Sequence, residues 1–497
     1  MKLKKLLNKF SAVALSAVLV SSAAVPAFAV GVMPKGYIVD SVKDSSVAYQ
    51  TENADMLYYI YRQILDYQTK IDISEYRIPY DQDNFQAIYD ALSGIFPELF
   101  YFDTTVFDSP TYFYSADFYM KELVMNYNKS QSEIKAMLDA FHEKADYYLS
   151  LVDDSMDEFT KALVLHDALV LNARYQIKSE GSETIDSTTY TFMVEGWGRC
   201  ENYAECYAYL LAHVGIESEI VNSDSMNHEW MKIHLDGSDY YYNVDVTWDD
   251  PLFGGKDRPN KVAHTYFLLS DEAFQNHSKR NHYGYISNFE SDAAYDGQEN
   301  LHTIDHPFFF VDGKLYTLYR SGLEGRIATY DYEYDELTDV YTVTDKWYSA
   351  SGGYWSSNYS DIGMYQGLLY FNRENSVDIF DPATGKTETY ISNALSDGRK
   401  LYGMFIRDNV IYGLAANSPN DDAEQVELGF CKEVEPQYSQ GDVNLDGVLD
   451  ISDATMIQSF LAELTALNQK QLALADFNND GDININDATD IQFAISR

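Results

Sequence analysis

Cysteine is scarce in this chain. Its 497 residues include three cysteines, Cys200, Cys206 and Cys431. So small and odd a number argues against the disulfide framework on which many small secreted domains rely. Cys200 and Cys206 lie six residues apart, and on one helix their Cα atoms would be roughly 9 Å apart, which is too far for a disulfide. We therefore expect at least one free thiol.

Basic residues are also few. The chain has 35 lysines and arginines against 78 aspartates and glutamates, which gives a formal net charge of −43. So acidic a surface repels nucleic acid and anionic membranes, and we expect neither as a partner. It favours solubility and suits the binding of Ca²⁺, a hard cation that takes oxygen ligands.

Long apolar runs are missing beyond the first residues. "MKLKKLLNKF" is basic, "SAVALSAVLV" is apolar, and "AFA" at 27–29 is a small-residue cleavage site. This order predicts a secretory signal peptide over residues 1–29, cut after Ala29. The apolar part is too short for a membrane anchor, and no later stretch has the length to span a bilayer. We therefore expect a secreted, extracellular protein with no membrane span.

Two twelve-residue segments near the C-terminus share one pattern. "DVNLDGVLDISD" from Asp442 and "DFNNDGDININD" from Asp476 carry side-chain oxygens at positions 1, 3, 5, 9 and 12, and a glycine at position 6. Such loops bind Ca²⁺, with the backbone carbonyl of position 7 as a further ligand. The expected ligands of two Ca²⁺ ions are Asp442, Asn444, Asp446, Val448, Asp450 and Asp453, then Asp476, Asn478, Asp480, Asp482, Asn484 and Asp487.

A short helix is predicted after each loop, from "ATMIQSFLAEL" and "ATDIQFAIS". The repeated loop-helix unit over residues 441–497 resembles the type I dockerin family. Dockerins bind cohesin modules on the scaffolding proteins of extracellular polysaccharide-degrading complexes, so the resemblance implies a cohesin partner and a cellulosome-like assembly. The family's recognition residues correspond here to Ile451-Ser452 and Ile485-Asn486. Because the two pairs differ, which face binds cohesin stays open.

A second motif, "GWGRCENYAEC" at 196–206, places a cysteine between two glycines and a predicted helix. Helical spacing runs from Cys200 to a stop at Gly215, so Cys200 is expected in the first helical turn. Unpaired N–H groups and the helix dipole favour a thiolate there. The alternative is a buried structural cysteine, and we assign Cys206 to that class.

The segment "MNHEWMKIHLDGSDYYYNVDVTWDDP" predicts a β-hairpin around Asp236-Gly237. A two-residue loop would set His228 directly opposite Asp245, with Cα atoms roughly 4.5–5.5 Å apart, and a four-residue loop would make them diagonal neighbours. Either register brings one histidine against one aspartate. Neither shows that the pair reaches Cys200.

Three segments, "GRCENYAECYAYLLAHVGIESEIV", "NHEWMKIHLDG" and "YYNVDVTWDDP", together resemble the transglutaminase-like superfamily of papain-type cysteine enzymes. The resemblance implies an α+β catalytic domain in which Cys200 is the nucleophile and His228 is the general base and acid. Asp245 would orient the imidazole and stabilise its cation. Members often carry Gln-Gly where this chain has Glu201-Asn202, and Glu201 adds a negative charge that opposes a thiolate.

The chemistry that this resemblance implies is acyl transfer through a thioester, with the N–H of Cys200 binding the oxyanion. We expect a cysteine peptidase or amidohydrolase that cleaves peptide or related amide bonds. Two alternatives remain open: a transamidase that crosslinks proteins with the same three residues, and a non-catalytic binding or adaptor component of the polysaccharide-degrading complex.

Two helix starts are predicted from capping boxes, at Ser130 with Glu133 and at Ser155 with Glu158. Further on, His166 is expected to pack in the core. From about residue 302, short apolar runs alternate with turn signals like the hairpins of propeller blades, although a closed propeller takes about four or more blades.

The predicted organisation is therefore multidomain. A signal peptide (1–29) precedes a helical and mixed N-terminal region (30–150) that packs on the catalytic domain. A transglutaminase-like α+β catalytic domain (151–300) follows, and then a β-rich, propeller-blade-like accessory domain (301–432) that is a candidate carbohydrate contact. A linker (433–440) leads to a small all-α calcium-loop dockerin (441–497).

Overall fold

The computed structural model describes residues 54–101, 113–114, 118–125, 127, 129–176, 187–235, 237–252, 256–287, 289–349, 351–434, 438–462 and 464–496. The predicted signal peptide lies outside these residues. The described chain forms two compact units, one that ends at Cys431 and one that begins at Lys432.

The first unit begins with a mostly helical region and ends in strands. Its helices are α1 (Ala54–Leu65), α2 (Gln82–Ile95), α3 (Gln131–Leu149), α4 (Glu158–Asn172), α5 (Thr189–Met193), α6 (Cys200–His213), α7 (Asp271–Gln275) and α8 (Glu299–Thr303). Its first strands are β1 (Lys70–Asp72), β2 (Phe113–Tyr114) and β3 (Met120–Val124), in the sheet order β1-β3-β2. Short 3₁₀ turns span Ser74–Tyr76 and Pro97–Leu99. Across the described residues, none of the helices combines the length and the apolar character that crossing a bilayer requires.

One predicted helix start is confirmed and the other is wrong. Ser130 caps α3, and its N–H donates to the Glu133 carboxylate at 2.8 Å. α4 instead begins after Asp157, whose carboxylate accepts from the N–H of Thr160 at 2.8 Å. The N–H and hydroxyl of Ser155 both donate to Asp153, at 2.7 and 2.5 Å, so that serine closes a turn before the helix.

The sheet that carries the candidate site is antiparallel throughout. Its strands are β4 (Ser218–Ser223), β5 (His228–His234), β6 (Tyr241–Val244) and β7 (Phe267–Leu269), in chain order. α6, which precedes the sheet in the chain, buries nearly its whole length.

The two-residue hairpin loop is wrong, and the wider, four-residue register is the observed one. His234 pairs with Tyr241. Ser238 holds the wider loop, because its N–H donates to the Leu235 carbonyl at 3.2 Å and its hydroxyl accepts from the N–H of Tyr240 at 3.0 Å. A shift of two residues leaves every side chain on its predicted face, so His228 and Asp245 remain diagonal neighbours.

The β-rich region consists of three antiparallel meanders in the described residues. The first contains β8 (Phe309–Val311), β9 (Lys314–Ser321), β10 (Glu324–Asp331) and β11 (Glu336–Val343). The second contains β12 (Ile362–Tyr365), β13 (Leu368–Asn372), β14 (Ser376–Asp381) and β15 (Lys386–Ser392). The third contains β16 (Lys400–Arg407), β17 (Val410–Ala416) and β18 (Glu424–Phe430). Leu318 and Ile327 share a core with Phe371, and Ile379 shares another with Ile411. The middle sheet therefore packs against both of its neighbours.

Buried polar contacts fasten this β-rich region to the α+β region within the first unit. Asp167 on α4 accepts from the N–H of Phe308 at 2.6 Å. Asp361, also buried, accepts from Lys261 at 2.7 Å and contacts His306 at 2.9 Å. Buried charges remain in a fold only when they are paired in this way.

The C-terminal unit contains α9 (Ile451–Leu461), α10 (Gln469–Ala475) and α11 (Ile485–Ile495). α9 and α11 follow the two acidic loops directly, and Asp450 and Asn484 cap them. Its small core comes from Val443, Ala454, Ile457, Ala475, Ala488 and Ile491. Equivalent alanine and isoleucine positions of the two helices therefore meet in one core.

Candidate active site

The loop before α6 requires its two glycines. Gly196 has φ +71°, and a Cβ on it would lie 2.7 Å from the carbonyl oxygen of Asn172. A Cβ on Gly198 would lie 2.9 Å from the Asn202 side-chain oxygen and 3.0 Å from the Phe192 ring. The chain therefore reaches the start of α6 only along a path that a side chain would block.

Backbone hydrogen bonds hold this loop against the segment that follows α4. The N–H of Arg174 donates to the Gly196 carbonyl at 3.0 Å, and the N–H of Gln176 donates to the Gly198 carbonyl at 2.7 Å. Cys200 is the first residue of α6 and is a half-buried free thiol. Because the first N–H groups of a helix have no intrahelical acceptor, the N–H of Cys200 has no acceptor within α6.

His228 lies between Cys200 and Asp245. Its Nε2 lies 2.6 Å from Asp245 Oδ2, and the Cys200 side chain is near enough to contribute to raising the pKa of His228. The Trp248 indole stacks on the imidazole, with centroids 4.6 Å apart and an angle of 14° between planes. Burial opposes a charge on His228, but the Asp245 carboxylate and its hydrogen bond outweigh burial and raise the pKa of His228 to about 9. The imidazolium form is therefore favoured at neutral pH.

Asp245 is fully buried and accepts hydrogen bonds on both oxygens. Oδ1 accepts from the N–H of Trp248 at 3.0 Å. Oδ2 contacts His228 and also the Nε2 of His282, at 2.9 Å. Burial opposes its ionisation, but His228 and His282 hold the pKa of Asp245 well below its usual range.

His282 was not predicted from the sequence. It lies 37 residues beyond Asp245 in an irregular segment, where neither a period nor a turn motif marks it. Arg280 in the same segment covers the outer face of Trp248, with its guanidinium carbon 3.8 Å from the ring centroid. Only the tertiary fold brings these two residues to the site.

The two acidic loops of the C-terminal unit have matching geometry. Gly447 has φ +90° and Gly481 has φ +91°. The N–H of each glycine donates at 2.9 Å to the first aspartate of its loop, Asp442 or Asp476. The last aspartate of each loop, Asp453 or Asp487, accepts from backbone N–H groups near the start of the same loop.

These loops fit Ca²⁺. The Oδ1 atom of Asp442 is buried with no hydrogen-bond partner among the described residues. Such an oxygen is costly to bury unless it is paired or coordinated. The carboxylate and amide oxygens predicted as ligands all lie in these two loops, and oxygen ligands are those that Ca²⁺ takes.

Comparisons with known families match both parts of the chain. Residues 145–249 match the family model of the transglutaminase-like superfamily, and residues 440–495 match that of the dockerin type I domain. The chain carries a transglutaminase-like core and a type I dockerin. Both resemblances drawn from the sequence are confirmed. Type I dockerins generally bind calcium, bind cohesin modules and are typically extracellular.

Solved structures with weak similarity are also found. One is a TGase with 11% sequence identity and a TM-score of 0.20, and the match covers 34% of this chain and 49% of that one. A proposed cysteine protease from Cytophaga hutchinsonii has 13% identity and a TM-score of 0.17, with 28% of this chain and 62% of that one covered. A proposed protease from Parabacteroides distasonis has 15% identity and a TM-score of 0.17, with 27% of this chain and 33% of that one covered. This chain thus spans 33% to 62% of their lengths. No curated protein sequence matches it significantly.

The acidic residues near the cysteine of the transglutaminase-like core differ in their surroundings. Glu201 is exposed, so water and salt screen its charge. Burial and the nearby carboxylates of Glu229 and Glu201 raise the pKa of Glu205 well above its ordinary value. The surroundings of Glu205 therefore disfavour its charged form. Cys206 is completely buried, in agreement with a structural role.

A second buried group of histidine and aspartate lies deeper in the core. His166 Nδ1 and His264 Nε2 lie 2.8 and 2.9 Å from one oxygen of Asp167. Burial opposes a charge on His166, but Asp167 and Asp249 outweigh it and raise the pKa of His166 to about 9. His166 is buried, as predicted, and its environment is an ion-pair network rather than an apolar one.

The two His–Asp–His groups, His228–Asp245–His282 and His166–Asp167–His264, do not have the spacing of a metal site. Their nitrogen-to-oxygen distances are 2.6 to 2.9 Å. Ligands in a tetrahedral zinc site, each about 2.0–2.2 Å from the metal, lie roughly 3.3 Å apart. The shorter distances are those of hydrogen bonds, so these groups share protons.

Proposed function

We propose that this protein is a secreted cysteine enzyme that hydrolyses peptide or related amide bonds through a thioester. Its type I dockerin would attach it to a cohesin module of an extracellular, cellulosome-like complex. The observation that carries the proposal is the contact chain Cys200–His228–Asp245 at the start of a helix. The dockerin match supports the attachment.

The first chemical step is acylation of the thiol. His228 holds the proton that Cys200 has lost, since Asp245 stabilises the imidazolium. The thiolate attacks the carbonyl carbon of the amide, and the oxyanion accepts a hydrogen bond from the N–H of Cys200. The C–N bond then breaks, and the amine leaves with the proton that His228 donates.

The second step restores the thiol. Neutral His228 removes a proton from water, and the hydroxide attacks the thioester carbonyl. The C–S bond breaks, a carboxylic acid leaves, and the thiolate–imidazolium pair forms again. An amine in place of water would give a new amide, which is the transamidase alternative.

In the dockerin, we propose that two Ca²⁺ ions bind, one in each loop. Asp442, Asn444, Asp446, the Val448 carbonyl, Asp450 and Asp453 would hold the first. Asp476, Asn478, Asp480, the Asp482 carbonyl, Asn484 and Asp487 would hold the second. The matching loop geometry and the unpartnered Asp442 Oδ1 support this assignment.

The enzyme proposal can be tested with labelled casein, assayed for both cleavage and incorporation of a labelled pentylamine. We expect cleavage by the wild type and by Cys206→Ala, and none by Cys200→Ala. Cys206 lies on the same helix, so it controls for general loss of a thiol. Cleavage retained in Cys200→Ala would refute the proposal, and amine incorporation without cleavage would favour crosslinking.

A further inference from the structure

We propose that His282 is a positioning residue of this active site, which donates its Nε2–H to Asp245 and limits how strongly that carboxylate holds the His228 imidazolium. The inference rests on the proposed function, because it concerns the same thiol and the same imidazole. It extends the contact chain from three residues to four: Cys200, His228, Asp245 and His282.

Packing fixes the orientation of the His282 ring. The residue is fully buried. Its ring stacks on Phe274 with centroids 3.6 Å apart, and the centroid of the Trp248 ring lies 4.0 Å from that of His282. The N–H of His282 donates to the Phe274 carbonyl at 3.0 Å. With the ring and the backbone both held, Nε2 stays directed at Asp245.

Hydrogen bonding identifies the tautomer. The Nδ1 of His282 is buried and has no partner among the described residues. A proton there would be an unsatisfied buried donor, which costs about 1–3 kcal/mol, so the single proton resides on Nε2. Burial holds the pKa of His282 below its ordinary value despite Asp245, and the positive charges of His228 and Arg280 add to that effect. His282 is therefore a neutral donor.

Two donors on one oxygen compete for the same negative charge. His228 and His282 both reach Oδ2 of Asp245, at 2.6 and 2.9 Å. The titratable groups beside His228 are Asp245, Cys200 and His282, and its ring stacks on the indoles of Trp248 and Trp230. Tyr266, whose hydroxyl donates to the Arg280 carbonyl, lies beside His282. Without the His282 donor, Oδ2 would interact with His228 alone and would stabilise its cation more strongly.

The test is the pH dependence of Cys200 alkylation by iodoacetamide, followed on the Cys200 peptide by mass spectrometry in the full-length protein. The wild type should show two steps: formation of the thiolate–imidazolium pair at low pH, and loss of the imidazolium proton at high pH. In His282→Phe, which keeps a ring for stacking, we expect the upper step to rise by about one pH unit. The lower step should fall.

His282→Gln is the matched control, because its side-chain N–H₂ can replace the Nε2 donor. We expect its two steps to remain near those of the wild type. If His282→Phe does not fold, judged by circular dichroism, His282→Met provides the donor-free variant. The inference would be overturned if the donor-free variant had its two pH steps at the wild-type positions. It would also be overturned if His282→Gln shifted the two steps as far as the donor-free variant does. A single ordinary thiol step in the wild type would instead refute the proposed function.

Discussion

Asp245 gives the candidate site its electrostatic character. The residue is buried beside an imidazole that burial alone would keep neutral, and the carboxylate reverses that preference. The carboxylate therefore determines that the imidazolium form of His228 is favoured at neutral pH. The balance between the charged and the neutral form of His228 therefore depends largely on the charge of Asp245 and its hydrogen bonds.

Replacing that charge should change the pH range of thiol reactivity. In Asp245→Asn, only the nearby Cys200 would still oppose the effect of burial on His228, so its pKa should fall from about 9 to about the ordinary value of 6.5 or below it. The imidazolium exists below its pKa, so the variant should lose the ion pair between pH 7 and 9. We expect iodoacetamide to alkylate Cys200 roughly tenfold or more slowly at pH 7.5. An unchanged rate at that pH would contradict this account.

At the scale of helices and strands, the sequence predicted correctly those features that a few neighbouring residues determine. The start of α6 at Cys200 and the capping box of α3 follow from a few neighbouring residues. The start of α4 failed for an equally local reason, because Asp153 competes for the Ser155 hydroxyl. Of the two hairpin registers that the sequence left open, the four-residue one is observed, and a loop stabilised by the Ser238 hydroxyl has no distinctive motif that would have selected it.

The glycine loop permits a test at this scale. Gly196→Ala should displace the loop and Cys200 with it, because its Cβ would meet a backbone oxygen at 2.7 Å. Gly215→Ala is the control: its φ is +85°, similarly left-handed, but nothing lies within 4 Å of the added carbon. We expect Gly215→Ala to lose about 1 kcal/mol of stability and to keep its rate of Cys200 alkylation.

For Gly196→Ala, we expect a lower midpoint of thermal unfolding and at least a tenfold slower alkylation of Cys200 at pH 7.5, which corresponds to about 1.4 kcal/mol or more. Equal alkylation rates in the two variants would show that the close approach to Asn172 does not position the thiol.

At the scale of the whole molecule, the residues that the sequence did not reveal are those that long-range folding supplies. His282 and Arg280 reach the site from beyond the sheet, and Asp167 meets Phe308 across 141 positions of the chain. No spacing rule connects such residues. The dockerin could be predicted for the opposite reason, since each predicted loop is a continuous segment of twelve residues whose expected ligands keep fixed offsets.

Because each compact unit has its own core and its own candidate functional residues, docking and thiol chemistry should respond separately to change. In the full-length protein, a calcium chelator or the paired substitution Asp442→Asn with Asp476→Asn should abolish capture by a cohesin-coated resin. Neither should alter the pH profile of Cys200 alkylation. Cys200→Ala should show the reverse pattern: full capture, and no cleavage of casein. Capture that survives the chelator would contradict calcium-dependent docking, whereas an alkylation profile that changes with calcium would show that the two units are coupled.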